Sequence, residues 1–258
     1  MNQQILSSSV KGEGQAVIIL HGLFGSSDNL SRVATELEKY YRVYRIDLRN
    51  HGNSFHHKEM NYDLMVEDLS VCMDNLGIEK AHLIGHSMGG KVAMLFSLQH
   101  PEKVDKLIVA DIAPVTYEPH HKQILQGLQA IPLNEISSRK MADDYLAKFI
   151  DEPGVRQFLL KSLDFIKGEE VKWKFNLSAI LENYANILSG IEAPKPFNGK
   201  TLFIAGGLSD YIKPEYKQKT VTLFPNIQLK IIPETSHWLH AEKPRIFIGI
   251  CQRFLEEQ

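Results

Sequence analysis

Cysteine is scarce in this chain: there are 2 cysteines among 258 residues, Cys72 and Cys251. Two isolated thiols argue against the disulfide framework of small secreted domains. Both lie within amphipathic helical patterns, so we expect both to be small buried apolar groups. The length fits one domain with an insertion or two small units, and a hydrophobic content of 43% is ample for a sizeable core.

Long apolar runs and an excess of one charge are also missing. No run is long enough to cross a bilayer, and the first four residues begin neither a positive segment nor an apolar signal sequence. We therefore expect a cytoplasmic protein that does not enter membranes. The 29 lysines and arginines and the 31 aspartates and glutamates are mixed throughout and give a formal net charge of −2. With no basic patch, nucleic-acid binding is not expected.

Motifs that bind phosphate groups or metal ions are absent from the sequence as well. Neither G-x-G-x-x-G nor G-x-x-x-x-G-K-[ST] follows the first apolar run, which argues against a nucleotide cofactor. His51, His56 and His57 lie close together and His120 and His121 are adjacent, but no carboxylate or cysteine completes a zinc-ligand spacing. We expect no metal ion and no cofactor. His51 is expected to shape its own turn, and the other four histidines to be exposed polar groups.

Short apolar runs recur along the chain, and helical patterns fill most of the gaps between them. The runs lie at about residues 16–20, 42–47, 81–85, 106–111, 201–205 and 227–232. Strands that alternate with helices predict an α/β fold with a mostly parallel central sheet flanked by helices. From residue 115 to residue 196, which we call the inserted segment, the strand rhythm stops and helical patterns follow one another.

The inserted segment divides the predicted core. Residues 1–114 and 197–258 are expected to form the core domain, and residues 115–196 a helical cap, or lid, over the C-terminal edge of the sheet. Such a cap excludes water and can build a pocket, although most of its large apolar side chains are expected to form its own core. Eight of them are candidates to line the pocket: Phe149, Phe158, Leu159, Leu160, Phe165, Trp173, Phe175 and Leu177.

Residues 85–89, Gly-His-Ser-Met-Gly, follow an apolar run and precede a helix-like one. This context predicts a nucleophile elbow, in which a serine lies on a sharp turn between a strand and a helix. The turn strains the serine backbone and brings helix and strand together, so the flanking positions favour glycine, which has no Cβ atom to clash. Ser87 is therefore the candidate nucleophile.

A serine is a poor nucleophile at neutral pH and needs a base and an oxyanion hole. His237 is the candidate base because it lies on the loop after the last apolar run, and His240, three residues later, is its rival and otherwise a supporting or surface group. The oxyanion hole is predicted from His-Gly-Leu at residues 21–23, directly after a buried strand. Its two donors would be the backbone N–H groups of Leu23 and Met88.

These motifs resemble the α/β-hydrolase superfamily, and more closely the YbfF-type bacterial esterases. The resemblance rests on residues 21–26, 47–54, 85–90, 111–114 and 237–244, and it runs over essentially the whole chain. It implies an α/β-hydrolase fold and an esterase or thioesterase that acts on small or acyl-CoA-like substrates, with no metal or organic cofactor.

The acid of the triad has two candidates. Asp210 follows the apolar run at 201–205 and has the usual superfamily position, whereas Asp111 ends the run at 106–111 and resembles the acid of the YbfF-type branch. Either position can reach the histidine loop, since the C-terminal ends of the strands face a common crevice. We favour Asp111 because the Asp-Ile-Ala-Pro sequence around it matches the branch.

The sequence thus predicts a serine hydrolase that cleaves carboxylic esters or thioesters, of short to medium acyl chains and including acyl-CoA, through an acyl-enzyme. Two alternatives stay open. The same triad also serves cofactor-free haloperoxidases and carbon–carbon bond hydrolases, and a protein that binds without catalysis can keep this fold.

Overall fold

A computed structural model describes residues 4–166 and 170–257 of the chain. Residues 1–3 and 258 of the predicted core domain and residues 167–169 of the predicted cap lie outside the described residues.

One sheet forms the centre of the fold. Within the described residues it has seven strands in the order β1-β3-β2-β4-β5-β8-β9, and only β1 runs antiparallel to its neighbour. A separate two-stranded ribbon joins β6 and β7. This arrangement confirms the predicted mostly parallel sheet. The strands are β1 Ser8–Lys11, β2 Ala16–Leu20, β3 Arg42–Ile46, β4 Ala81–His86, β5 Val104–Ala110, β6 Leu163–Asp164, β7 Lys172–Trp173, β8 Lys200–Gly206 and β9 Ile227–Ile232.

Helices cover both faces of the sheet and fill the inserted segment. The α-helices are α1 Ser31–Leu37, α2 Tyr62–Asn75, α3 Met88–Gln99, α4 Lys122–Ala130, α5 Arg139–Leu146, α6 Pro153–Lys161, α7 Leu177–Glu182, α8 Tyr184–Leu188, α9 Lys217–Leu223, α10 Leu239–Glu242 and α11 Pro244–Glu256. Short 3₁₀ helices lie at Ser27–Leu30, Pro101–Lys103 and Pro214–Tyr216.

The central strands are buried on both sides, as a parallel sheet between two layers of helices requires. Successive residues of β4 show this: Leu83 packs into the core that holds α2 and α3, and Ile84 into the core that holds α1 and α11. Cys72 lies in the first core and Cys251 in the second, and both are free and buried, as predicted. Strand β4 is buried at every residue, and in helix α3 every residue from Met88 to Ser97 is buried.

Helices α4 to α8 all lie between β5 and β8, where the strand rhythm of the sequence stops. Their apolar side chains belong to the same core as α2 and α3; Leu128, Leu146 and Leu159 are each at most 1% exposed there. The inserted segment is thus packed onto the α2–α3 side of the sheet. Throughout the described part of the chain, no helix combines the length and the apolar composition that crossing a bilayer demands.

Candidate active site

Ser87 lies on the turn between β4, which ends at His86, and α3, which begins at Met88. Its φ and ψ angles are +52° and −121°, a strained conformation for a residue with a side chain. The two flanking glycines are required by close packing. A Cβ atom on Gly85 would lie 2.3 Å from the carbonyl oxygen of Gly89, and one on Gly89 would lie 2.5 Å from that of Leu20. The turn can therefore form only with glycine at both positions.

A continuous series of hydrogen bonds joins Ser87 to His237 and Asp111. The Ser87 Oγ atom lies 2.9 Å from His237 Nε2, and His237 Nδ1 lies 2.8 Å from Asp111 Oδ2. A carboxylate only accepts, so Nδ1 carries the proton and donates to Asp111. The Nε2 atom is then free of a proton and accepts from the serine hydroxyl, which is the arrangement that a general base needs.

Asp111 is completely buried at the end of β5 and its carboxylate is fully engaged. Its Oδ1 atom accepts the backbone N–H of Gly206 at 2.8 Å, and its Oδ2 atom accepts the hydroxyl of Ser209 in addition to His237. Gly206 is the last residue of β8 and Ser209 lies in the loop after it, whereas His237 lies after β9. These donors compensate the cost of burying a negative charge.

Asp210 lies on that same loop but points away from the site. Its side chain is 94% exposed, and its carboxylate lies 3.8 Å from the ammonium of Lys213. The neighbours of Asp210 point inward instead. Ser209 donates to Asp111, and the ring of Tyr211 stacks on that of His237 with 3.9 Å between ring centroids. The loop thus presents a hydroxyl and an aromatic face to the site and a carboxylate to solvent.

The peptide between Gly22 and Leu23 has a fixed orientation. The carbonyl oxygen of Gly22 accepts from His21 Nδ1 at 2.8 Å and from the backbone N–H of Gly25 at 3.1 Å. Since a trans peptide directs its N–H opposite to its carbonyl, the N–H of Leu23 is held on the other side. Within the described residues, neither this N–H nor that of Met88 has a hydrogen-bond partner. Leu23 and Met88 line one cavity together with Ser87.

Buried histidines support this turn from below. His21 Nε2 accepts the backbone N–H of Leu48 at 3.0 Å. His51 donates from Nδ1 to the carbonyl of Arg49 at 2.9 Å and accepts the N–H of Phe24 at Nε2. Burial lowers the pKa of His21 and lowers that of His51 to about 3, so both are neutral. His51 shapes its turn, and it also holds the backbone next to Leu23.

Two further histidines support the loop that carries His237. His86 Nε2 donates to the carbonyl oxygen of His237 at 2.9 Å, and the His240 ring lies 4.4 Å from the His86 ring. Burial lowers the pKa of His86 well below its usual range and that of His240 to about 3. The interpretation of His240 as a surface group is wrong, because His240 is only 5% exposed. The role of His86 was not predicted from the sequence, because the position before the serine can be any residue in the G-x-S-x-G motif.

The expected exposure of the remaining histidines is only partly observed. His120 is exposed, but His121 lines both cavities beside Ser87, and burial lowers its pKa to about 3. The interpretation of His121 as an exposed group is therefore wrong. His121 Nδ1 lies 2.8 Å from the hydroxyl of Tyr184, which belongs to the inserted segment. Among the side chains that the structure describes, no group of three or more histidines, cysteines, aspartates or glutamates is placed to hold a metal ion.

Two small cavities adjoin Ser87, and one open cleft adjoins His237. The cavities have volumes of about 30 and 20 Å³. The cleft has a volume of about 470 Å³ and is lined in part by His237, Trp238 and Val155. Of the eight apolar candidates in the inserted segment, Phe158 and Leu159 line the larger cavity. Phe175 instead packs between Trp173 and Phe24, in the core of the segment.

Comparison with known proteins places this geometry in context. A family model described as "alpha/beta hydrolase fold" matches residues 15–244. A Haemophilus influenzae protein described as an esterase/lipase is 44% identical over 242 residues, which cover 93% of this chain and 83% of that protein. Esterase YbfF of Escherichia coli is 37% identical over 242 residues, which cover 93% of this chain and 93% of that protein. Among solved structures, a marine microorganism esterase superposes with a TM-score of 0.95 at 43% identity, over 98% of this chain and 100% of its own.

Proposed function

The chain belongs to the α/β-hydrolase family and is a hydrolase of the esterase type, and from that premise we propose that it cleaves carboxylic esters or thioesters of short to medium acyl chains through an acyl-enzyme on Ser87. The observation that carries the proposal is the hydrogen-bonded series from Ser87 through His237 to Asp111. In this proposal Asp111, and not Asp210, is the acid.

The geometry supports each half of the reaction. As the Ser87 Oγ atom attacks the acyl carbon, His237 Nε2 takes the hydroxyl proton, and Asp111 stabilises the imidazolium that forms. Negative charge that develops on the carbonyl oxygen is received by the N–H groups of Leu23 and Met88. The imidazolium then gives its proton to the departing alcohol or thiol. A water molecule, activated by the same histidine, releases the acid and restores Ser87.

The inserted segment is proposed to be the cap of this site. Its side chains Val155, Phe158 and Leu159 form one wall of the larger cavity beside Ser87. A volume of about 30 Å³ holds roughly one water molecule or one small group, so a short acyl chain fits with little rearrangement. A large leaving group, such as that of an acyl-CoA-like substrate, has room in the open cleft.

The test is covalent labelling with a fluorophosphonate probe. The protein should be labelled once, and Ser87→Ala should abolish labelling and lower ester turnover by about 10³-fold or more, because only binding and the oxyanion hole then contribute. Ser97→Ala is a matched control. Ser97 lies in the same helix, and its hydroxyl donates to the carbonyl of Ala93. Labelling that survives in the Ser87→Ala protein would exclude Ser87 as the nucleophile.

A further inference from the structure

Lys91 is a buried charge that the proposed reaction does not use. It lies in the first turn of α3, where its backbone N–H donates to the carbonyl of Ser87 at 3.1 Å. The whole residue is 1% exposed, which is rare for lysine. Burial lowers the pKa of Lys91 to about 7. Burying a charge is costly and requires hydrogen-bond partners.

The Lys91 ammonium is bound entirely by backbone carbonyls. Its Nζ atom lies 2.8 Å from the carbonyl oxygen of Val115 and 3.2 Å from that of Leu188, and it also donates to the carbonyl of Ser189. Three acceptors match the three N–H groups of a protonated lysine. No carboxylate of the described residues forms an ion pair with Lys91.

These three carbonyls belong to the two ends of the inserted segment. Val115 lies where the chain leaves the core after β5, and Leu188 and Ser189 lie where α8 ends and the chain returns. The two ends are also joined to each other. The N–H of Tyr117 donates to the carbonyl of Leu188 at 3.0 Å, and that of Ile191 donates to the carbonyl of Pro114 at 3.1 Å. Lys91 therefore holds both ends of the segment on the helix that follows Ser87.

From Lys91 a series of contacts leads back to the base. The Nζ atom lies 4.9 Å from the ring centroid of Tyr117. The Tyr117 hydroxyl accepts the N–H of Ala113 at 2.8 Å and donates to the carbonyl of Tyr211 at 2.5 Å. The ring of Tyr211 in turn stacks on His237. Displacement of the segment ends would thus be transmitted to the ring that takes the proton from Ser87.

We propose that Lys91 is a positioning residue that fastens both ends of the inserted segment to α3 and, through Tyr117 and Tyr211, keeps the His237 ring aligned between Ser87 and Asp111. The proposal rests on the proposed function, because it assigns Lys91 a part in the same reaction. A misplacement of about 1 Å at a reacting group can lower a rate by about 100-fold, so the effect is expected in kcat rather than in KM.

Lys91→Met tests this, since methionine fills the space without charge or donors. Lys106→Met is a matched control: Lys106 is also buried, and its Nζ atom donates to the carbonyls of Phe254, Leu255 and Glu257. Lys106 lies four residues before the end of β5, roughly 13 Å from the edge that carries the site. It therefore has the same chemistry at a distance from the reaction.

We expect Lys91→Met to lower kcat by about 10- to 100-fold with KM changed less than about threefold. Amide hydrogen exchange should become at least about 10-fold faster at residues 115–117 and 187–191, because local opening there loses its anchor. Lys106→Met should instead speed exchange near the C-terminus and leave kcat within about twofold. Unchanged kcat in folded Lys91→Met, or equal losses of kcat in both variants, would overturn the proposal.

Tyr117→Phe provides a second test if Lys91→Met fails to fold. It keeps the ring beside Lys91 but removes the hydroxyl that contacts Tyr211, and kcat should fall by about 10-fold. A Tyr117→Phe protein with full kcat would also overturn the proposal. Hydrogen exchange needs no turnover, so its result is independent of the esterase assignment. Failure of the proposed function would appear separately, as a wild-type protein that the fluorophosphonate probe does not label.

Discussion

Asp111 and Asp210 follow the neighbouring strands β5 and β8, but their side chains lie in opposite environments. Asp111 is 0% exposed and accepts from Gly206, Ser209 and His237, whereas the side chain of Asp210 is 94% exposed. A buried carboxylate with fixed donors keeps one orientation and can hold an imidazole in one tautomer. An exposed carboxylate is solvated, and its interactions with other charges are screened. The two candidate acids have the same side chain, and they therefore differ as partners for His237 only in the direction in which that side chain points.

Substitution of the two aspartates distinguishes their roles. Asp111→Asn should keep the fold but lower kcat by about 10³- to 10⁴-fold, because His237 then loses the partner that orients it and stabilises its charge. Asp210→Asn should change kcat by less than about twofold. Steady-state hydrolysis of a p-nitrophenyl ester measures both, with thermal unfolding to confirm that each variant is folded. A greater loss in Asp210→Asn than in Asp111→Asn would reverse the assignment of the acid.

Helix α6 of the inserted segment lines the larger cavity beside the nucleophile. Phe158 lines the larger cavity beside Ser87, and its ring lies 4.1 Å from that of Trp238, the residue after His237. Phe165, in the same segment, contacts the guanidinium of Arg139 instead and does not line either cavity. One face of one helix is therefore expected to limit the length of the acyl chain.

Phe158→Ala should shift the preferred acyl chain to a longer one. For the wild type, each added methylene should lower the activation free energy by up to about 0.8 kcal/mol until the cavity is full, so kcat/KM should rise. Longer chains should then lose activity, so that the profile of kcat/KM peaks at a short to medium chain. Removal of the ring should move the peak by one or more carbons, and Phe165→Ala should leave it in place. A panel of p-nitrophenyl esters and acyl-CoAs of graded length measures this. A flat wild-type profile from acetyl to palmitoyl would contradict the assignment of the segment as the determinant of specificity.

At the scale of the whole molecule, the fold keeps several histidines buried and neutral. Burial lowers the pKa of both His51 and His240 to about 3, whereas a histidine of the unfolded chain titrates at about 6.5. Between about pH 6 and pH 4 the unfolded chain therefore binds about one more proton at each site than the folded chain does. The stability that these neutral rings allow is complete above pH 6.5 and is lost as the pH falls.

Between about pH 6 and pH 4, the free energy of unfolding should fall by about 1.4 kcal/mol per pH unit for each of these histidines, or about 3 kcal/mol per pH unit for the two together. Since most domains are stable by only about 5–15 kcal/mol, unfolding by mild acid is expected. His240→Met removes one of these titrating groups, so the free energy of unfolding of this variant should fall less steeply with pH, by about 1.4 kcal/mol per pH unit. The Nδ1 atom of His240 has no partner within the described residues, so the substitution breaks no hydrogen bond there. Urea denaturation at several pH values measures both slopes. Equal slopes in the two proteins would show that His240 does not titrate as described.

The central sheet and the location of the nucleophile could be predicted from the sequence. Both are local properties. Each of the six apolar runs forms a strand of the sheet. The central strands β2, β4, β5 and β8 are largely buried, as a parallel sheet covered on both faces requires, whereas the edge strand β9 is mostly exposed. The glycines at positions 85 and 89 mark a turn that no other residue can close. The N-terminal strand β1 was not placed in this way, since all four of its residues are exposed and carry no apolar pattern.

The side chains that surround Ser87 could not be predicted from the sequence in the same way, because they depend on how distant parts of the chain pack. The sequence left two candidate acids after two strands, and the fold directs Asp111 inward and Asp210 outward because the loop after β8 uses Ser209 and Tyr211 for its inner contacts. The fold likewise buries His86 and His240 and half-buries His121, which contacts Tyr184 63 residues away. Lys91 lies four residues from the nucleophile, but its partners lie 24 to 98 residues away. Long-range contacts of this kind leave no local pattern, since the pairing of distant residues depends on how the strands and helices pack.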